Sequence, residues 1–230
     1  MGVHKRNLSI GWLCQSVLVM LICTFALGQN PQLKPENARR FPVVVFTSVF
    51  WSANPSYYSI AIDSAGTATY QSAPDSVEHT GVPYTVEFHV SDRTRRATFN
   101  MARNLDFFRE TISVSTGSPE TSVVRTLAYH DPAFNAQITY TSSPDPNLQE
   151  LTSILEETCE TLEFGRRLNY SHAHDPRSLE PELIKMQGRV ERHRLRDLQA
   201  LVPTLNTIVR DSALEESVRQ RAQELLRRAQ

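Results

Sequence analysis

Two histidines and an aspartate stand almost together at His172, His174 and Asp175, with Ala173 between the imidazoles and His193 further on. Imidazole and carboxylate groups are zinc ligands. At i and i+2 two such rings face one ion on an extended segment but diverge on a helix. A zinc site needs three or four convergent ligands, and a catalytic one also keeps a position open. The tract supplies two strong ligands without a recognised partner spacing. Pro176 and Ser178 place it in a connection between helices, where solvated polar side chains are ordinary. It reads as a surface loop, and a periplasmic metal-dependent hydrolase built on His172, His174 and Asp175 is the alternative.

The remaining reactive groups are weaker candidates. Cys14 and Cys23 fall in the N-terminal apolar stretch, which leaves Cys159 as a lone thiol. It has no nearby base to lower its pKa and lies in an amphipathic helical pattern, so it reads as structural and half-buried. Glu150, Glu156, Glu157, Glu160 and Glu163 run along the same pattern and read as a solvated acidic face; paired carboxylates for glycoside chemistry would need a cleft. Arg93, Arg95, Arg96 and Arg103 form the charged side of an earlier helix, with an anion site as the alternative reading. The sequence contains no G-x-S-x-G elbow, H-E-x-x-H motif, phosphate-cradling glycine loop or dinucleotide fingerprint. No catalytic, cofactor-binding or metal residue is assigned, and no cofactor is expected.

These groups must be held by an α+β body. Residues 43–51 are β-branched and aromatic, the composition of a buried strand. Tyr58, Ile60 and Ile62 alternate with smaller residues, Asp63-Ser64-Ala65-Gly66 supplies a turn, and residues 67–70 resume the extended pattern, which predicts a β-hairpin. Val82, Tyr84, Val86, Phe88 and Val90 share one face at period two. Ser91 or Asp92 then caps a helix whose apolar stripe is Ala97, Met101, Leu105 and Phe108. Residues 123–129 and 134–141 read as two further strands around His130-Asp131-Pro132. The sheet should have five or six strands, mostly antiparallel, and carry one packed helix.

The cluster Ser142-Ser143-Pro144-Asp145-Pro146 changes the regime to helix. Leu148, Leu151, Leu155, Thr158 and Leu162 form a stripe, with Arg166 and Arg167 placed to suit a helix C-terminus. Leu179, Leu183, Met186 and Val190 predict a second helix. Leu198, Leu201, Leu205 and Ile208 predict a third, kinked or broken near its middle by Pro203. Ser212 and Glu215 form a capping-box pair before a last helix that buries Leu214, Val218, Ala222, Leu225 and Ala229. The expected organisation is a signal peptide at 1–28, a flexible linker at 29–40, an α+β domain at 41–142 and a C-terminal helical domain at 145–230.

The leader reading rests on Lys5 and Arg6, an apolar stretch at 8–27 broken by Gln15 and Ser16, and Ala26-Leu27-Gly28 placing small residues at −3 and −1 of a cut before Gln29. A periplasmic or secreted location follows. The alternative is an inner-membrane anchor formed by residues 8–27, the only membrane association expected. The formal charge of −1 shows no basic surplus for nucleic acid. An unknown protein partner fits the helical half.

Tyr58-x-Ile60-x-Ile62-x-x-x-Gly66-x-x-x-Tyr70 resembles an uncharacterised domain recurrent in exported bacterial proteins, over residues 57–108. There a similar hairpin leads to another strand and to a helix ending in an acidic-aromatic step, whose counterpart here is Asp106-Phe107-Phe108. Gln71-Ser72 departs from the glycine that follows the second tyrosine in that pattern. The resemblance implies an architecture and an export route, with no activity attached. Residues 198–229, through Leu201-Val202-Pro203-x-Leu205, Asp211, Val218-Arg219 and Ala222 to Leu226, are similar to a single helical hairpin of the HEAT type, a unit that buries its faces against neighbours. With one such unit visible, the segment reads as an ordinary antiparallel helix pair. Together these features predict an exported protein that is a non-enzymatic binding or interaction module.

Overall fold

In the computed structural model, residues 41–50, 55–73, 83–109, 112–117 and 123–230 are described. The leader at 1–28, the linker at 29–40, Trp51 and Val82 lie outside the described residues. Six strands form: β1 (Val43–Val49), β2 (Tyr57–Asp63), β3 (Thr67–Ser72), β4 (Tyr84–His89), β5 (Val124–His130) and β6 (Asn135–Tyr140). They make one sheet in the order β4-β3-β2-β1-β5-β6, with every pairing antiparallel.

Registry follows the side-chain alternation. Val86, Tyr70, Ile60, Phe46, Leu127 and Ile138 stand opposite one another in turn and form a single row across all six strands. A slip of one residue in any strand would turn its member of the row to the other face. Turn chemistry fixes the β2–β3 hairpin: Asp63 Oδ1 accepts the backbone N–H groups of Ala65 and Thr67, both at 2.9 Å. Gly66 takes φ +97°, and a Cβ there would lie 3.2 Å from Arg95 Cδ. Asp131 Oδ1 does the same work between β5 and β6, accepting from Ala133 and Phe134.

Helix α1 (Asp92–Asn104) starts at Ser91, whose Oγ accepts from the Thr94 N–H at 3.2 Å. Its buried face is centred on Thr94, Thr98 and Ala102, while Ala97 and Met101 are only half-buried. The expected Ala97–Met101 stripe is thus rotated by about one residue. Small threonine side chains let α1 lie against the following helix, α2 (Pro146–His174). Phe108 reaches the core by a different route. Asp106, Phe107 and Phe108 all have left-handed φ, at 45°, 52° and 64°, a conformation costing roughly 1–2 kcal/mol per residue. The turn is held by the buried Phe108 ring and by Phe107 packed on Tyr129, centroids 4.5 Å apart. A pair between Arg109 and the Asp106 carboxylate closes it.

Asp145 caps α2, accepting from Asn147 and Leu148, with Pro146 in the first turn where its missing N–H costs nothing. The helix spans 29 residues and serves two cores. Leu148, Leu151, Leu155, Cys159 and Leu162 lie with the sheet, so α2 shares the covering of that face with α1. Phe164 and Leu168 belong to a helical core with α3 (Leu179–Glu191), α4 (Val202–Arg210) and α5 (Glu216–Arg228). The described residues belong to one compact unit.

Leu179, Leu183, Met186 and Val190 of α3 are all buried, as their spacing predicts. Two local expectations for the last helices are corrected. Pro203 does not break a helix; it sits in the first turn of α4, preceded by a 3-10 turn at Leu198–Leu201. Ser212 and Glu215 form no capping box. Glu215 stands at the start of α5 without a side-chain cap, and Asp211 instead holds the connection by accepting from the Ala213 N–H at 2.9 Å. Among the described residues, no helix is long and apolar enough to cross a membrane.

Candidate functional site

Where α1 begins, the connection between α3 and α4 folds over it and leaves a cleft of about 540 Å³. That connection is built on two left-handed non-glycine residues, His193 (φ 55°) and Asp197 (φ 54°). Such conformations cost of order 1–3 kcal/mol each and persist only where surrounding contacts enforce them. Leu195, largely buried, anchors the segment, and the N–H groups of His193 and Arg194 return to the carbonyls of Val190 and Arg189 at 3.0 Å.

Asp197 is the joint of the cleft. It is 6% exposed, and its carboxylate accepts from the Ser91 N–H at 2.6 Å, the Thr158 hydroxyl at 3.2 Å and the Gln199 amide at 3.1 Å. One side chain thereby ties the N-terminus of α1, the middle of α2 and the turn before α4. It also places a carboxylate where the α1 dipole is positive.

Around this floor stand Arg93, Arg196 and Arg228, together with His193. Arg196 donates to Glu157 at 2.8 Å. Arg93 makes no ion pair among the described residues. Arg228 reaches Glu224 only at 3.5 Å, and Arg227 also pairs with that carboxylate. Arg93 and the weakly paired Arg228 thus bring positive charge to the rim, above the Asp197 carboxylate, whose partners are neutral donors. Leu198 and Val190 add an apolar wall. Guanidinium groups present fixed forks of donors matched to carboxylate and phosphate oxygens, and a concave cluster of one charge sign concentrates its field.

Of the acidic face expected on α2, Glu150 is exposed as expected, whereas the other four carboxylates are engaged by partners. Glu156 accepts from Arg125 of β5 at 2.7 Å, Glu157 from Arg196, and Glu160 pairs with Arg189 of α3 at 2.8 Å. Glu163 is 5% exposed: Oε1 accepts the Tyr70 hydroxyl at 2.6 Å and Oε2 accepts from Arg166, itself 4% exposed, at 3.0 Å. Burial, and then the Glu163 charge, push the Tyr70 phenol well above its ordinary value. Arg166 and Arg167 lie mid-helix instead of at a C-terminus, because α2 continues to His174; Arg167 pairs with Glu182. The period of α2 located these side chains, but the partners lie on other elements and fold back onto them.

The histidine tract lies in the last turn of α2 rather than in a connection. There the two rings separate. His172 Nε2 meets Asp211 Oδ2 at 2.9 Å, whereas His174 donates to the Tyr170 carbonyl and stacks on the Tyr170 ring. Asp175 is the C-terminal cap. His193 stands at the cleft. Among the described residues, no three His, Cys, Asp or Glu side chains converge as a metal-binding group. Cys159 is wholly buried rather than half-buried, and burial pushes its thiol well above the ordinary value, with Glu163 and Glu156 adding to it.

Of the α1 arginines, Arg95 is engaged by Asp92 and the Ser64 carbonyl, and Arg103 donates to Asn100. Arg96 lies 4.0 Å from Asp92, and only Arg93 faces the cleft. Arg196, Arg228 and Asp197 were not singled out from the sequence. The available signal was the basic run Arg189, Arg192, Arg194 and Arg196 beside the isolated Asp197. Comparison with known families and with curated proteins finds no match to this chain.

Proposed function

We propose that this protein is an exported, non-enzymatic binding module that takes an anionic ligand in the cleft between the start of α1 and the α3–α4 connection. The observation that carries this reading is the gathering of Arg93, Arg196 and Arg228 around one concavity in a chain whose formal charge is −1. A basic cluster without an overall basic surplus marks a local site rather than a general affinity for polyanions. Export is supported by Lys5 and Arg6, the apolar stretch at 8–27 and the small residues Ala26 and Gly28.

The test is calorimetric titration of hexaglutamate and inorganic phosphate into the protein recovered from the periplasm. At least one binds, more weakly at high salt, and Arg93→Ala/Arg228→Ala reduces its affinity by about tenfold or more. Both arginines are exposed, so the variant keeps its fold, checked by circular dichroism. Binding unaffected by the double variant, or binding of neither anion, would overturn the reading. Intact mass beginning at Gln29 is the expected result for export; a full-length cytosolic chain contradicts it.

A further inference from the structure

Resting on that reading, we infer that the cleft takes a small organic oxyanion, a phosphate monoester or carboxylate with a short apolar body, rather than an extended acidic chain. Three observations set the class. The cleft volume of about 540 Å³ lies within the roughly 300–1,000 Å³ of small-molecule sites. Its charged donors are guanidinium groups; at the head of α1 the Ser91 N–H already donates to Asp197 and the Thr94 N–H to Ser91 Oγ. The ligand's negative head therefore belongs at the rim, with Arg93 and Arg228.

The third observation concerns what lies beneath the rim. Leu198 and Val190 line the same cavity, and Leu198 is only half-buried, so part of its side chain is open to a ligand. An inorganic ion leaves that surface wet. An alkyl group covers it, and removal of apolar surface from water strengthens binding. Asp197 disfavours a second negative group deep in the cleft, so charge is accepted at the head of the ligand and not along its body. The Asp197 oxygens are already satisfied by three neutral donors and need no contact from the ligand.

The experiment compares n-butyl phosphate, hexanoate, inorganic phosphate and hexaglutamate by calorimetry on the intact exported protein. The better of the two alkyl anions, which also distinguishes the phosphate from the carboxylate source, binds about tenfold more tightly than inorganic phosphate. Arg93→Ala/Arg228→Ala removes both the alkyl anion and phosphate, whereas Leu198→Ser removes the preference for the alkyl group. Equal affinity for alkyl anions and phosphate overturns this inference while leaving the anion site standing. So does hexaglutamate binding through the same arginines without alkyl-anion binding. Loss of all four ligands in the unaltered protein removes both proposals.

Discussion

The Tyr70 hydroxyl donates to Glu163 Oε1 at 2.6 Å, joining the third strand of the sheet to the middle of a helix 93 residues later. Both residues are buried, and Arg166 occupies the other carboxylate oxygen. A carboxylate removed from water is tolerated only when its lone pairs are satisfied, so the three side chains operate as a unit.

Tyr70→Phe deletes one donor to that carboxylate and leaves the ring in place. The expected loss is about 1.5–3 kcal/mol, the range for a hydrogen bond to a charged group. Glu163→Ala removes the buried carboxylate that Tyr70 and Arg166 both face and should cost about 3–5 kcal/mol. Urea unfolding of the two variants measures the difference. Variants as stable as the unaltered protein would show that the carboxylate is not sustained by these partners.

At Gly165, α2 comes close to the turn before α4. A Cβ built there lies 2.6 Å from Leu201 Cδ2, and Leu201 is itself buried. Gly165→Ala gains about 1 kcal/mol of helix propensity but meets an overpacking cost of about 1–3 kcal/mol. A net destabilisation of about 1 kcal/mol is expected. Combined with Leu201→Ala, the costs should fall short of additivity, since the second change opens space for the first. Strict additivity in the unfolding midpoints would remove the contact argument.

Acid should weaken the connection between α4 and α5. The Ala213 N–H and then His172 hold the Asp211 carboxyl below its ordinary 3.8. A carboxyl depressed in the folded state contributes stability that is present above the unfolded value and is lost as pH falls through the folded one. The loss therefore begins near pH 4 and deepens below it. Asp211→Asn should flatten that part of the stability profile while retaining the amide oxygen as an acceptor. An acid limb unchanged by the substitution contradicts this assignment.

Cys159 is inaccessible, and burial disfavours its thiolate. Labelling at that residue, followed by mass spectrometry, should be slow in the native protein. Its rate should rise with urea in parallel with global unfolding, because thiolate and access both require opening of the core. Rapid labelling without denaturant would place the thiol at the surface.

Local patterning made much of the architecture legible. Alternation at Tyr58, Ile60 and Ile62, the Asp63–Gly66 turn, and the four-residue spacing in α3 and α5 require burial of one face whatever the neighbours are. The α+β class and the antiparallel sheet follow from such short-range facts. The face of α1 was less legible, because Thr94 and Thr98 are buried through their small size against α2 rather than through hydrophobicity.

By itself, then, the sequence determined where most strands and helices lie and which face of most of them must leave water. Tertiary structure alone decided that Glu163 is a buried partner of Tyr70, that His172 and His174 face different groups, and that Arg93, Arg196 and Arg228 share a cleft. The physical reason is range. Periodicity is set by backbone geometry over a few residues, whereas hydrogen-bond partners and charge clusters depend on how elements distant in the chain are brought together by packing.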